Sequence, residues 1–261
     1  MGNMGTMPSV KPGVSVIVPT FREAPNIEPL VMRVFAALGK KEEAELILVD
    51  DDSKDGTDRI VERLRAEYPV ALVVRRGERG LAGAVVVGLR AARHDRLVVL
   101  DADLQHPPEL IPEMVSRLEA DGCDFVMATR YAGTGSVAED WPWHRRLASR
   151  FATLLARPVA RLSDPMSGFF ALRRETWERA APFVDAIGYK IGLELFVKAR
   201  CRHPGEVPIS FAARHAGVSK LGFGAQWAYV RHLLRLYRFR FPWLAWVLGF
   251  AMMAGVIRWV L

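Results

Sequence analysis

Asp101-Ala102-Asp103-Leu104-Gln105 follows directly on an apolar run, Leu97-Val98-Val99-Leu100, so two carboxylates and an amide stand where a buried strand runs out. Hard divalent cations such as Mg2+ and Mn2+ take oxygen ligands and keep positions open for substrate phosphates. One or two carboxylates at a strand end therefore suit a metal–diphosphate site better than a closed protein cage. Asp101, Asp103 and Gln105 are the candidate metal ligands, and a nucleotide diphosphate is the expected partner. Asp pairs also cap helices and solvate loops, so the pair needs support from its surroundings.

Those surroundings repeat one rhythm. Val14-Ser15-Val16-Ile17-Val18 is a short β-branched run closed by Pro19, after which Thr20 to Asn26 leads into apolar positions at Ile27, Leu30, Val31, Val34 and Leu38. That spacing predicts strand, loop and helix. A second unit starts with the strand Leu46-Ile47-Leu48-Val49 and ends in Asp50-Asp51-Asp52-Ser53. A turn at Asp55-Gly56-Thr57 then opens a helix through Ile60, Val61 and Leu64. In open α/β sheets ligands bind outside the carboxyl ends of the strands, so Glu23, Asp51, Asp101 and Asp103 are expected in one crevice. The plainer alternative is three independent helix caps. No Gly-x-Gly-x-x-Gly follows the first strand, and Gly80, Gly83 and Gly88 have the wrong spacing, which disfavours a dinucleotide-binding dehydrogenase.

Three stretches together, Val16 to Glu23, Val49 to Thr57 and Asp101 to Glu109, resemble the nucleotide-sugar site of inverting family 2 glycosyltransferases. The string Asp-Ala-Asp-Leu-Gln-His-Pro-Pro-Glu is similar to that of dolichol-phosphate mannose synthases and related polyprenyl-phosphate glycosyltransferases. Ala128 to Tyr131, Asp164 to Phe170, Lys190 and Phe211 to Lys220 extend the resemblance over residues 14–240. Phe21 stands where the family often has Tyr, and Asp52 where Asn is usual.

The resemblance implies a GT-A type, Rossmann-like α/β domain with a mainly parallel central sheet. It also implies transfer of mannose from GDP-mannose to dolichyl or polyprenyl phosphate with inversion, giving a β-linked product, with Mg2+ or Mn2+ held by Asp101, Asp103 and Gln105. The implied donor-binding residues are Pro19, Phe21, Glu23, Val49, Asp51, Asp101, Ala102, Asp103, Gln105, Arg130, Arg214 and Lys220. Acceptor phosphate falls to Arg130, Ser167, Lys190 and Arg214, and catalysis to Asp103, Arg130, Arg214 and Lys220. An acceptor oxygen already anionic needs no strong protein base. It needs cations that bring two anions together, with Arg offering bidentate forks and Lys a point charge. A relative using UDP-glucose or another sugar nucleotide, and a non-catalytic lipid-binding scaffold, are the other readings. Against the scaffold, every acidic ligand and motif cation is present.

The 261 residues, 51% of them hydrophobic, suffice for one α/β core, and no repeat or low-complexity linker divides them. The expected organisation is a flexible terminus over 1–13, a catalytic domain over 14–230, and a basic flank with a membrane helix over 231–261. Residues 1–130 hold 17 Lys and Arg against 21 Asp and Glu, and residues 131–261 hold 19 against 8. The basic half lies beside apolar stretches and lacks the common nucleic-acid motifs, so membrane phosphates and not nucleic acid are its expected partners. Cys123 and Cys201 are too far apart for a metal motif and suggest a reducing compartment.

From Phe241 to Leu261 the only charged side chain is Arg258, and a helix of this length rises about 31 Å, close to the hydrocarbon thickness of a bilayer. Trp243, Trp246 and Trp259 lie near its ends, and Arg231, His232, Arg235, Arg238 and Arg240 precede it. By the positive-inside rule that flank keeps the catalytic domain on the cytoplasmic face of the membrane. The other reading is a buried or interfacial helix. From His144 onward, Arg146, Arg150, Arg157 and Arg161 fall on one helical arc, and Leu147, Phe151, Leu154, Leu155 and Leu162 on the next. That pattern predicts an amphipathic interfacial helix broken at Pro158, although a surface helix packed on the sheet would show the same arcs.

Overall fold

Each apolar run forms a strand whose carboxyl end opens into a polar loop and then a helix. The structure, a computed structural model, describes residues 11–39, 43–120, 122–131, 133, 151–210 and 223–243. β1 (Lys11–Thr20), β2 (Ala44–Asp50), β3 (Val70–Val74) and β4 (His94–Val99) alternate with α1 (Ala24–Leu38), α2 (Thr57–Leu64) and α3 (Leu81–Ala91). A 3-10 turn (Pro108–Leu110) and α4 (Ile111–Ala120) lead to β5 (Phe125–Thr129). Helical residues 151–156, α5, precede β6 (Phe170–Arg173), α6 (Arg174–Ala180), α7 (Ile191–Lys198), β7 (Pro204–Pro208) and α8 (Phe223–Arg240).

The strands make one seven-stranded sheet in the order β3-β2-β1-β4-β6-β5-β7. Every pairing is parallel except those of β6, which runs antiparallel to β4 and to β5. The expected mainly parallel α/β sheet is what forms. Side chains alternate across a strand, so β1 divides its residues between two cores. Val14, Val16 and Val18 pack with Ile27 and Leu30 of α1, Val61 of α2 and Met114 of α4. Ile17 faces the opposite layer, with Val85 and Leu89 of α3, Trp177 of α6, Leu195 of α7 and Leu236 of α8. Gly88 lets α3 lie directly on β1, because a Cβ there would stand 2.3 Å from Ile17 Cγ2.

Register brings the polar loops to one edge. Thr20 pairs with Asp50 and Ile17 with Val99, so the chain leaves β1, β2 and β4 at neighbouring points on the same side of the sheet.

α8 runs through residue 230, the expected end of the catalytic domain, and Tyr229, Leu233 and Leu236 bind it to the core. Arg231, Arg235, Arg238 and Arg240 therefore ride on a helix that is part of the domain. α5 ends at Ala156, before Pro158, and the tyrosine hydroxyls of α8 hold it: Tyr229 donates to the Ala152 carbonyl and Tyr237 to that of Leu155, both at 2.8 Å. Phe151, Leu154 and Leu155 are exposed as the amphipathic pattern expects, whereas Leu162, beyond the break, is buried in the core. Among the described residues no helix is long and apolar enough to cross a membrane. Residues 244–261, most of the expected spanning segment, lie outside them, as do Arg146, Leu147 and Arg150.

Candidate active site

The loop after β4 closes on itself. Leu104 takes a left-handed conformation, φ 60°, and the Gln105 amide donates to Asp103 Oδ1 at 3.2 Å. Asp103 is buried, whereas the Asp101 side chain is partly exposed. The Asp101 amide donates to His106 Nδ1 at 3.3 Å, and the buried imidazole packs against Phe169, ring centres 5.5 Å apart and planes tilted by 38°. Burial, with Arg130 and Lys190 adding to it and Asp103 and Asp164 opposing, lowers the His106 pKa to about 4. The ring is therefore neutral near pH 7 and holds the strand exit as an acceptor. Gly168 lies against the Asp101 carboxylate, where an added Cβ would come within 3.0 Å of Oδ2. Any larger residue would press on the carboxylate.

Among the described residues no three His, Cys, Asp or Glu side chains converge as a metal cage. Two carboxylates and an amide within five residues, all oxygen donors, fit a hard cation that completes its coordination with substrate oxygens and water.

A second group of charges surrounds Asp101 from β5, the loop before β6 and the start of α7. Arg130 forks onto Asp164, Nε to Oδ2 at 2.6 Å and Nη2 to Oδ1 at 2.9 Å, with both residues buried. Lys190, the N-cap residue of α7, donates from Nζ to the Met166 carbonyl at 2.6 Å and lies 4.8 Å over the Tyr189 ring. Burial pulls its pKa down to about 8, the Arg130 charge adding to the effect and Asp164 and Asp101 opposing it. The Ser167 hydroxyl, expected at the acceptor, accepts from the Phe169 amide at 3.2 Å and so closes the turn that carries Gly168.

The Asp run after β2 separates into different duties. Asp50 accepts from Thr20 Oγ1, from the Ser53 hydroxyl and from the Ser53 amide, which makes it a loop anchor. Asp51 accepts from Arg75 Nη1 at 2.8 Å and from the Gly80 amide at 2.7 Å. Its carboxylate thus ties down the β3–α3 loop. Asp52 lines a cavity of about 660 Å³ with Arg22, Ser53, Lys54, Asp55 and Arg79. Glu23 accepts from Asn26 Nδ2 at 2.7 Å as α1 begins.

The structure thus brings together Asp101, Asp103, Gln105, Arg130, Ser167 and Lys190, with Pro19, Phe21, Glu23 and Asp51 along the same edge. Val49 and Ala102 are core side chains, Val49 packed toward Gly88 of α3, so a ligand could meet only their backbone. Arg214 and Lys220 lie outside the described residues. Sequence reading left His106, Asp164 and Arg75 without roles. His106 and Asp164 stood inside the quoted motifs, whereas nothing in the local sequence marks Arg75 as the partner of Asp51.

A mostly parallel α/β sheet with carboxylates gathered at its carboxyl edge is a GT-A-like fold. The profile of Glycosyl transferase family 2 matches residues 15–179, and the chain belongs to that family. It is 44% identical over 248 residues to a dolichol-phosphate mannosyltransferase of Mycosarcoma maydis, covering 92% of this chain and 84% of that one. The dolichol-phosphate mannosyltransferase of Saccharomyces cerevisiae is 42% identical over 236 residues, 87% of this chain and 88% of that one. Among solved structures, glucosyl-3-phosphoglycerate synthase from Mycobacterium tuberculosis in complex with Mn2+, uridine diphosphate and glucosyl-3-phosphoglycerate superposes with a TM-score of 0.61. It is 21% identical, over 88% of this chain and 80% of that chain, a likeness of fold.

Proposed function

We propose that this glycosyltransferase moves mannose from GDP-mannose to a dolichyl or polyprenyl phosphate, with inversion at the anomeric carbon. One observation carries the reading: the acidic Asp101–Asp103 loop meets the cations Arg130 and Lys190 at a single sheet edge, in a chain 44% identical to a dolichol-phosphate mannosyltransferase.

Donor and acceptor both bring phosphate, so the site must first overcome their repulsion. Arg130, oriented by the Asp164 fork, and Lys190, fixed on the Met166 carbonyl, present positive charge beside the loop without free rotation. An arriving phosphate favours the charged form of Lys190 and offsets the depression caused by burial. Asp101, Asp103 and Gln105 would hold a Mg2+ or Mn2+ ion, which would supply positive charge for the departing nucleoside diphosphate. Neutral His106 keeps the Asp101 amide in place, and Gly168 leaves room around its carboxylate. The acceptor oxygen is anionic at neutral pH and attacks without a protein base. Arg214 and Lys220 are assigned to the same anions by the sequence pattern.

The acceptor's lipid tail places the enzyme at a membrane, with the catalytic domain on the cytoplasmic face and residues 241–261 as the anchor. α5 and α8 support this placement. They expose Phe151, Leu154, Trp227 and Leu234 beside Arg231, Arg235 and Arg238, the mixture of apolar and basic side chains that suits an anionic lipid interface. The test is to incubate membranes holding the protein with labelled GDP-mannose or UDP-glucose and dolichyl phosphate, then to extract lipid. Mannose label in the lipid phase is expected, and glucose label alone would overturn the donor assignment.

A further inference from the structure

Lys190 reaches the site at the end of a segment with two left-handed residues. Between the 3-10 turn Ala181–Phe183 and α7, Ala186 has φ 52° and Gly188 φ 71°. Glycine adopts that conformation freely, whereas the Cβ of alanine makes it strained. Such strain persists only where the surroundings over-determine it, and it clusters at functional sites. What holds Ala186 is a buried pair of charges on α7. Lys198 donates from Nζ to the Phe183 carbonyl, to Asp185 Oδ2 at 2.8 Å and to Glu194 Oε1 at 2.7 Å, and the Asp185 amide donates to Glu194 Oε1 at 2.7 Å.

The segment is therefore fastened at both ends to one helix. Its start is tied to Glu194 and Lys198, and at its end the Lys190 carbonyl accepts the Glu194 amide at 3.2 Å. From α8, His232 Nε2 stands 3.4 Å from Glu194 Oε2 and Arg235 Nη1 3.6 Å from Asp185 Oδ1. An intact buried ion pair often adds no more stability than apolar residues of the same volume, so stability is a weak account of why this one is kept. Its geometric effect is specific: it fixes the course of residues 183–190, and that course delivers the Lys190 ammonium to the Met166 carbonyl.

We propose that Glu194 and Lys198 are positioning residues for Lys190: their buried pair holds residues 183–190 in a strained course that sets the ammonium where the acceptor phosphate meets it. Neither residue touches substrate. Asp185 completes the tie from the segment's side. The inference rests on the acceptor-phosphate reading of Lys190 above and adds to it the residues that keep this cation in place.

Two measurements test it, one of them without substrate. Brief acylation of the full-length protein in detergent, followed by peptide mass spectrometry, reports how freely the Lys190 ammonium leaves its contact. Asp185→Ala and Glu194→Gln are expected to label Lys190 at least about threefold faster than wild type, with the exposed Lys54 unchanged. The second measurement is the split of kinetic constants with a short polyprenyl phosphate. Misplacing one charge-assisted phosphate contact is expected to raise the acceptor KM about tenfold in Glu194→Gln and about threefold in Asp185→Ala, with the GDP-mannose KM within about twofold of wild type. The Asp185 side chain is 39% exposed, so Asp185→Ala decides the matter if Glu194→Gln does not fold. Unchanged Lys190 labelling in a folded variant would overturn the proposal, as would donor and acceptor KM rising together. A wild type that transfers nothing to polyprenyl phosphate would overturn the function reading alone, because labelling is judged without substrate.

Discussion

In the proposed mechanism Asp103 is the residue on which the chemistry turns. It is buried in the strand exit, and Asn keeps its shape while removing the charge that holds a cation. Asp103→Asn is expected to lower transfer at least 100-fold while leaving the thermal midpoint within a few degrees, because a lost electrostatic contact to the leaving group is worth about 3 kcal/mol or more. Full turnover in the mutant, or in excess chelator, would contradict the metal assignment. A second comparison separates the basic residues. Arg214→Ala is expected to lose at least about tenfold in rate in detergent with saturating lipid, the value of one charge-assisted phosphate contact. Arg150→Ala, assigned by pattern to the lipid surface, is expected to lose little. Steady-state rates of the two mutants side by side decide this, and equal losses would mean that the division is wrong. The acidic loop after β4 was legible because its carboxylates are neighbours in sequence. What could not be read was the occupancy of the other charges: Arg130 is forked onto Asp164 and Asp51 onto Arg75, pairs 34 and 24 residues apart, created only when the sheet closes.

At the scale of elements, α7 has to hold Lys190 at its amino end, and one turn later Glu194 holds α7. Glu194 is fully buried. It accepts from Lys198 Nζ at 2.7 Å and from the Asp185 amide at 2.7 Å, and His232 of α8 stands 3.4 Å away. Lys198 also donates to Asp185 at 2.8 Å, and Arg235 of α8 lies 3.6 Å from the same carboxylate. Burial by itself would raise the Glu194 carboxyl, but His232, Lys198 and the Asp185 amide outweigh it and hold the pKa down at about 2. A carboxyl depressed in the fold stabilises it fully above its unfolded value of about 4.3. That contribution fades as pH falls toward 2. Glu194→Gln leaves the buried Lys198 ammonium short of a partner and is expected to cost about 3 kcal/mol at pH 7, with the gap from wild type narrowing at pH 3. Urea unfolding at the two pH values measures both, and a gap independent of pH would show that the carboxylate charge is not what binds α8 to α7. Helix and strand positions were legible from their periodicity. The continuity of α8 through residue 230 was obscured by its charge, because Arg231, Arg235 and Arg238 read as a flank while Tyr229, Leu233 and Leu236 on the other face pack into the core.

For the whole molecule, the proposed membrane placement asks whether the domain reaches lipid through its own surface or only through its carboxyl-terminal segment. Phe241 rests on the core, continuing the aromatic contacts of Tyr237 and passing them to Trp243, so removal of residues 244–261 spares every described contact. The surface that remains joins α5 to α8, with Trp227 72% and Leu234 61% exposed among basic residues. Apolar contact of this size with flanking Arg gives reversible binding, and its electrostatic part is screened as the Debye length falls from about 10 Å at 0.1 M salt to about 3 Å at 1 M. The truncated protein is therefore expected to leave membranes at high salt, to return to anionic vesicles at low salt, and to keep transfer to a short acceptor dispersed in detergent. Vesicle co-sedimentation at both salt concentrations, with a rate assay on the same preparation, is the measurement. Retention at high salt would show that the domain surface alone suffices as an anchor. A folded truncation that transfers to no dispersed acceptor would place the last eighteen residues in the active site, with the acceptor delivered along them.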